Sequence, residues 1–328
     1  MIIDIVYPWC GEHSEKSIKK IKKIFDKKLL PNSDKKQRPN EDLKYSLRSV
    51  YTYAKWINRV YILVDKGIPP SWFNNKYKDW ITVIDRNKLY RNKNNCPTFN
   101  TFSVYSIVHR IPGLSEHFIV FDDDTHIIAD VSPLDFFRGN KVVVRAPFKP
   151  VPIYKDNIPK IVSQMDMYPQ NKYCDWHHAP KPLLKSRVLY YNQKYKKYFN
   201  FIRSHTERFR HVSEETIMIY YYLMEKEDLI FNVQGDFYQN PKYKKNSNIS
   251  NFLKQKSNYK FVNLNDFNDS TLKDNIEILR ILFPEKKYYF EKNTKTTTTD
   301  PCTHATTGKH KANQRLLKPF NLFKKIFF

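Results

Sequence analysis

Two hydrophobic periods organise the chain. Residues 2–6 are a short apolar run that predicts a strand, and Ile18, Ile21, Ile24, Phe25 and Leu29 then recur at helical spacing among lysines. Asn40-Glu41-Asp42 opens a second helix, a cap residue followed by acids in the first turn, with Leu43, Leu47, Val50, Tyr51, Ala54 and Ile57 as its apolar stripe. Residues 60–64, 80–84 and 118–121 are further strand-like runs, and 101–110 reads as helix. Short apolar strands separated by helices predict an α/β fold with a largely parallel sheet and flanking helices. Beyond it the pattern turns more helical. A short helix opens at Ser132-Pro133, and residues 141–145 form one more strand. Pro180 and Pro182 suit the entry of a long helix running to about Ile202. Ser213-Glu214-Glu215-Thr216 caps a helix rich in Tyr, Ile and Leu. Residues 261–266 read as a strand followed by a polar turn, ahead of a helix capped by Ser270 and stopped by Phe283-Pro284.

Three of the predicted strands end in acid. Asp65 and Asp85 stand alone, and a lone Asp after a strand is most often a turn former or helix cap. Asp122-Asp123-Asp124 is different, because adjacent carboxylates repel unless solvent, a cation or basic side chains offset them. Alternate residues of an extended segment share a face, so Asp122 and Asp124 can point together while Asp123 points away. Open α/β sheets bind ligands at the C-terminal edge of their strands. Carboxylates there, beside a diphosphate, suit a hard divalent cation, Mg²⁺ or Mn²⁺.

Other candidate chemistry follows in the second half. Cys174, His177 and His178 invite a zinc reading, which lacks a second ligand pair at a standard spacing. His178 is the better candidate acid/base, since imidazole titrates near physiological pH; the plain alternative is a packed or solvated loop histidine. Arg203 to Arg210 concentrates cations ahead of a helix, a setting that suits phosphate, or simply a solvated basic loop.

Composition narrows the classes. The 328 residues carry 57 Lys+Arg against 33 Asp+Glu, a formal charge of +24, so polyanionic partners are expected unless Lys-rich composition alone supplies the excess. Only 6 glycines, with neither G-x-G-x-x-G nor a P-loop, argue against a glycine-cradled nucleotide. Cys10, Cys96, Cys174 and Cys302 lie far apart and favour a reducing compartment. No run approaches the roughly 20 apolar residues that span a bilayer, and residues 1–7 read as a strand rather than a leader. The organisation expected is a catalytic domain over 1–292, a Thr-rich linker over 293–308 and a basic tail over 309–328. In that tail Leu316, Phe320, Phe323 and Phe327 share a helical face, which suits a membrane surface, although Pro319 interrupts it; a disordered or body-docked tail is the plain alternative.

The ordered segments resemble the Stealth family of hexose-1-phosphate transferases, which includes bacterial capsular and cell-wall polysaccharide phosphotransferases. The resemblance rests on residues 3–9, on 41–50, on Pro97-Thr98-Phe99-Asn100, on His109-Arg110-Ile111-Pro112-Gly113-Leu114, on Asp122-Asp123-Asp124 and on 131–137. It continues through His178-Ala179-Pro180-Lys181-Pro182-Leu183, Arg208-Phe209-Arg210, Asn263-Leu264-Asn265-Asp266 and Leu282-Phe283-Pro284-Glu285. Two features depart from the family pattern: Trp9 is followed by Cys10-Gly11-Glu12-His13, and the acidic stretch begins with Asp122 where Asn is usual.

The resemblance implies a Rossmann-like, glycosyltransferase-A-like core and a UDP-sugar donor. An acceptor sugar hydroxyl on a growing or lipid-linked polysaccharide attacks the phosphorus bearing the hexose, and UMP leaves. It implies Asp123 and Asp124 as holders of Mg²⁺ or Mn²⁺ with Asp122 assisting, and His178 as general base. Arg210 and Arg48 would neutralise phosphate, and Asn100, His109 and Asp266 would complete the donor site. The setting implied is cytoplasmic, with the tail as a peripheral contact on the inner face of the cell membrane. Two rivals stand beside it. One is a metal-dependent glycosyltransferase, which would release UDP. The other is a nucleic-acid-binding protein, which the spread of charge and the lack of a recognised motif disfavour.

Overall fold

The structure is a computed structural model. It describes residues 1–9, 11, 42–74, 76, 79–98, 100–145, 148–149, 173–174, 178–206, 215–239, 249–264, 269–284 and 288–292. The predicted helix over Ile18 to Leu29, the linker and the tail lie outside the described residues.

Strands β1 (Ile3–Pro8), β2 (Arg59–Val64), β3 (Ile81–Asp85) and β4 (His117–Val120) lie parallel in the order β4-β1-β2-β3. The α/β fold with a largely parallel sheet is as the hydrophobic pattern predicts. Parallel strands are covered on both faces, which is why Ile5, Val6, Ile62, Leu63, Ile119 and Val120 read as unbroken apolar runs and are fully buried. Between β1 and β2 stands helix α1 (Asp42–Tyr53), whose stripe Leu43, Leu47 and Val50 is buried. Tyr51, assigned to that stripe by periodicity, is 37% exposed and rests edge-on against Trp80 and Tyr289 instead. The predicted helix over 101–110 is shorter, with α2 (Thr101–Tyr105) followed by a separate 3-10 turn at Val108–Arg110.

Past β4 the chain turns through the acidic stretch into β5 (Thr125–Ile127). The short helix expected from Ser132-Pro133 is a 3-10 turn, Pro133–Asp135, with Ser132 and Asp135 forming a capping box. Strands β6 (Phe137–Arg138) and β7 (Lys141–Val144) form a hairpin; β8 (Phe148–Lys149) pairs with β9 (Tyr173–Cys174). The next element corrects the sequence reading. Lys181–Leu184 is strand β10, antiparallel to β4 on the edge of the main sheet, with Lys181 opposite Val120 and Leu184 opposite His117. Proline lacks the N–H a central strand needs but suits an edge, so Pro182 fits here as well as it would at a helix start. Helices α3 (Lys185–Lys194) and α4 (Lys196–Ser204) follow, in place of one long helix.

Helix α5 (Glu215–Lys226) leads to β11 (Ile230–Asn232), which joins β7 in parallel. Strand β12 (Phe237–Gln239), helix α6 (Ile249–Gln255), strand β13 (Phe261–Asn263) and helix α7 (Asp269–Leu282) complete the order. β13 sits between β12 and β5, with Asn263 opposite Thr125. One apolar core joins the main sheet to α1 and α5, and a smaller one gathers Tyr45, Phe252, Val262, Leu279 and Phe283. Among the described residues no helix is long and apolar enough to cross a membrane.

Candidate active site

Topology brings two distant segments to one sheet edge. β4 delivers Asp122 just past its C-terminal end. Because β10 enters antiparallel opposite Val120, the residues preceding it arrive at the same edge, and His178 is among them. The acidic turn is fixed on both sides. Thr125 N donates to Asp122 O at 3.1 Å, and Leu264 N donates to Asp124 O at 3.0 Å, so β13 pins the turn from the far side. Thr125 Oγ1 donates to His178 O at 2.6 Å, which ties the histidine segment to β5.

Asp122 is heavily partnered. Lys181 Nζ donates to its Oδ2 at 2.5 Å, Tyr105 Oη donates to its Oδ1 at 2.9 Å, and His178 Nδ1 lies 3.3 Å from Oδ2. Burial alone would raise the Asp122 carboxyl, but Lys181 and His178 together outweigh it and hold the group well below its ordinary range. Asp124 sits in the opposite situation. Its Oδ1 is buried with no hydrogen-bond donor, and burial, helped by the neighbouring Asp122 and Asp123, pushes its carboxyl up to about 7. Burial would lower the His178 imidazole, but its contacts with Asp122 and Asp124 raise it above the ordinary value.

Asp122, Asp124 and His178 each offer one donor atom within 4.8 Å of one another, a spacing a cation can bridge. Asp122 and Asp124 come together as expected, though across a turn rather than along an extended strand, whereas Asp123, expected as a principal metal holder, is not in this group. A buried carboxylate oxygen without a donor is the kind of group a divalent cation satisfies, so these residues fit one.

The remaining sequence candidates sort differently. Arg48 is not free for phosphate: its guanidinium is buried and donates Nε and Nη2 to the two carboxylate oxygens of Glu291 at 2.7 and 2.8 Å. Asn100 is the N-cap of α2. Its Oδ1 accepts from Phe102 N and Ser103 N, and its Nδ2 donates to Ile202 O and His205 O, so every hydrogen-bonding position is taken by the fold. His109 belongs to the turn Val108–Arg110, after the chain has run back from Asn100 toward the start of β4, and it lines a cavity that the acidic cluster does not share. The fold thus engages the polar groups of Arg48 and Asn100 and sets His109 on a cavity apart from the acidic cluster. Arg208, Arg210, Asp266 and His177 lie outside the described residues, and of Cys174 only the backbone in β9 is described. His178 precedes a strand, not a helix as expected. Asp65 and Asp85 are structural: Asn87 Nδ2 donates to Asp65 Oδ1, and Asp85 Oδ1 accepts from Asn87 N as a helix cap.

Sequence reasoning missed Lys181 and Tyr105 as site residues. The signal for Lys181 was present: a lone Lys between prolines in an apolar stretch suits a strand whose one charge turns to a partner.

Residues 36–145 match the model of Stealth protein CR2, conserved region 2. Exopolysaccharide phosphotransferase cps2G of Lactiplantibacillus plantarum is 30% identical over 210 residues, covering 63% of this chain and 53% of that protein. Capsular polysaccharide phosphotransferase WcwK of Streptococcus pneumoniae is 35% identical over 141 residues, 41% of each. Both matches span about half or less of the relative's own length. Among solved structures, the galactosyltransferase LgtC in complex with donor and acceptor sugar analogues aligns over 87% of this chain and 98% of its own, with 8% identity and a TM-score of 0.46. The sequence matches bear out the resemblance to the Stealth family.

Proposed function

We propose that the protein is a phosphotransferase that moves a hexose-1-phosphate, or its N-acetylhexosamine counterpart, from a UDP-sugar to a sugar hydroxyl of a polysaccharide. The acceptor oxygen forms a new bond to the phosphorus bearing the hexose, the bond from that phosphorus to UMP breaks, and a phosphodiester results. The observation that carries this reading is the Asp122–His178 pair beside the buried Asp124 Oδ1, which accepts no hydrogen bond, in a chain bearing a Stealth region. Asp122 is fixed by Lys181 and Tyr105. It would hold His178 Nδ1 protonated, so that Nε2 takes the proton of the attacking hydroxyl. Asp124, with Asp122 assisting, would hold Mg²⁺ or Mn²⁺, whose charge offsets that of the diphosphate. Arg210 and Asp266 keep the roles that the resemblance implies, in binding phosphate and donor.

The decisive assay incubates the protein with a panel of UDP-sugars and an acceptor glycan and identifies the nucleotide. UMP is expected; UDP would mean attack at the anomeric carbon and a glycosyltransferase. His178→Ala should lower kcat by about 10²–10⁴-fold with little change in donor KM. Mg²⁺ affinity should also hold. A loss of metal affinity instead would make His178 a ligand rather than a base.

The domain reading adds a membrane contact. The apolar face of residues 309–328, with the lysines around it, would bring the catalytic domain to the anionic surface that presents a lipid-linked acceptor. Truncation after Lys292 is expected to leave turnover of a soluble acceptor intact and to reduce sedimentation with anionic liposomes, most at low salt. Equal sedimentation of both proteins would reject the anchor.

A further inference from the structure

On the flank of α2 away from the acidic cluster lies a cavity of about 320 Å³. The helix separates the two. Tyr105 turns to Asp122, while Ser103 Oγ bonds Tyr90 Oη at 2.8 Å and Ser106 Oγ accepts from Arg203 Nη1 at 3.3 Å on the cavity side. Arg91, Arg110, Lys196 and Arg203 line the cavity with His109 and Asn192, and among the described residues no Asp or Glu lines it. Asp85 and Lys88 belong to the adjoining open groove.

The cation cluster is built into the fold. Arg203 is buried, and its Nη1 donates to Asn192 Oδ1 at 2.7 Å, itself oriented by Tyr220 Oη. Arg110 donates Nη1 to Leu89 O at 3.1 Å, yet its Nε is buried without an acceptor. His109 is 7% exposed, and its Nδ1 is likewise buried without a partner. Like charges this close, with buried N–H groups left unmatched, are destabilising unless an anion supplies both charge and acceptors. Burial, then Arg110 and Arg203, push the His109 imidazole down to about 3, so it is neutral and can offer an N–H without adding charge. Burial and Arg110 together bring Arg203 down to about 10.

We propose that this cavity is a second anion site, which binds a phosphate monoester or diester group separately from the acidic cluster. Four cations around a pocket of this size suit one or two phosphates with a sugar attached, and planar guanidinium groups match phosphate oxygens in pairs. The site stands without the transferase reading. Only the identity of its natural occupant rests on that reading: either a free sugar phosphate, or a phosphodiester of the acceptor chain held as the next unit is added.

The test is calorimetric titration of the full-length protein with inorganic pyrophosphate at low salt in EDTA, which removes metal-dependent binding at the acidic cluster. One-site binding is expected for the wild type and for Asp124→Asn. The exposed pair Arg91→Gln/Lys196→Gln should fold normally and bind about tenfold more weakly or worse. Arg110→Gln tests the buried wall in the same way. A hexose-1-phosphate and its methyl diester then compete against pyrophosphate. Preference for the monoester assigns a free sugar phosphate, preference for the diester assigns the polymer, and either supports the site. No binding by the wild type, full binding by the double variant, or loss of binding in Asp124→Asn overturns it.

Discussion

Asp124→Asn should abolish turnover, by about 10³-fold or more, and in EDTA should make the protein more stable than the wild type at pH 8. The two effects share one cause. The Asp124 carboxyl is buried, its Oδ1 has no donor, and it is pushed up to about 7, so the fold pays for its negative charge whenever no cation is bound. Its folded pKa lies above the unfolded value. The folded state therefore holds a proton that the unfolded state releases, and stability falls as pH rises from about 4 to about 7, by up to about 1.4 kcal/mol per pH unit. Asparagine mimics the protonated acid and escapes that loss, so the gap between variant and wild type should open over this window and close again toward pH 4. Mg²⁺ at pH 8 should stabilise the wild type and leave the variant unmoved. Asp122 has the opposite sign: Lys181 and His178 hold its carboxyl low, and the stability it contributes at neutral pH is lost only as pH falls below about 4. Denaturant titrations of both proteins at several pH values, with and without Mg²⁺, decide the matter. A variant that is destabilised at pH 8 in EDTA, or that keeps its turnover, would remove Asp124 from the metal role.

How far the site was legible depends on how local its causes are. The strands of the parallel sheet were readable because burial on both faces writes an apolar run into consecutive residues, and the acids closing those runs mark the sheet edge. The strand period anticipates that Asp122 and Asp124 come together, but the structure does it through a turn, closed by Thr125 N donating to Asp122 O, which the period does not show. β10 was not, because proline marks a helix entry and an edge strand equally well, and only β4 decides between them. The partners of Arg48 and Asn100 were not legible for a related reason. Arg48 finds Glu291 at a separation of 243 residues, and Asn100 finds His205 O at 105. A polar residue in a motif looks free until the distant group that satisfies it is known. His109 shows the limit of order along the chain, since α2 and the turn after it lead back from the site edge and place it on the second cavity.

Arg48→Ala should lower the unfolding free energy by about 3–5 kcal/mol, the range for removing one partner of a buried ion pair. The Arg48 side chain is 4% exposed and that of Glu291 11%, and the two meet through two parallel N–H···O bonds. The guanidinium also lies 4.9 Å from the ring centroids of both Tyr45 and Tyr288. It thereby fastens α1 to residues 288–291, whose aromatic side chains pack on Trp80 and Tyr51. Alanine would leave the Glu291 carboxylate buried beside two tyrosine faces, with Lys44, at 3.9 Å, the one cation among the described residues to offset it. Arg48→Lys should recover little, because an ammonium cannot make both bonds or stack between the rings. The double variant Arg48→Met/Glu291→Leu removes the stranded charge and should regain much of the lost stability. A structural clamp and a phosphate ligand make different forecasts here. If Arg48 is a clamp, donor KM in the folded fraction at low temperature stays near the wild-type value while the denaturation midpoint falls. A variant of unchanged stability with a large rise in donor KM would return Arg48 to the phosphate-binding role.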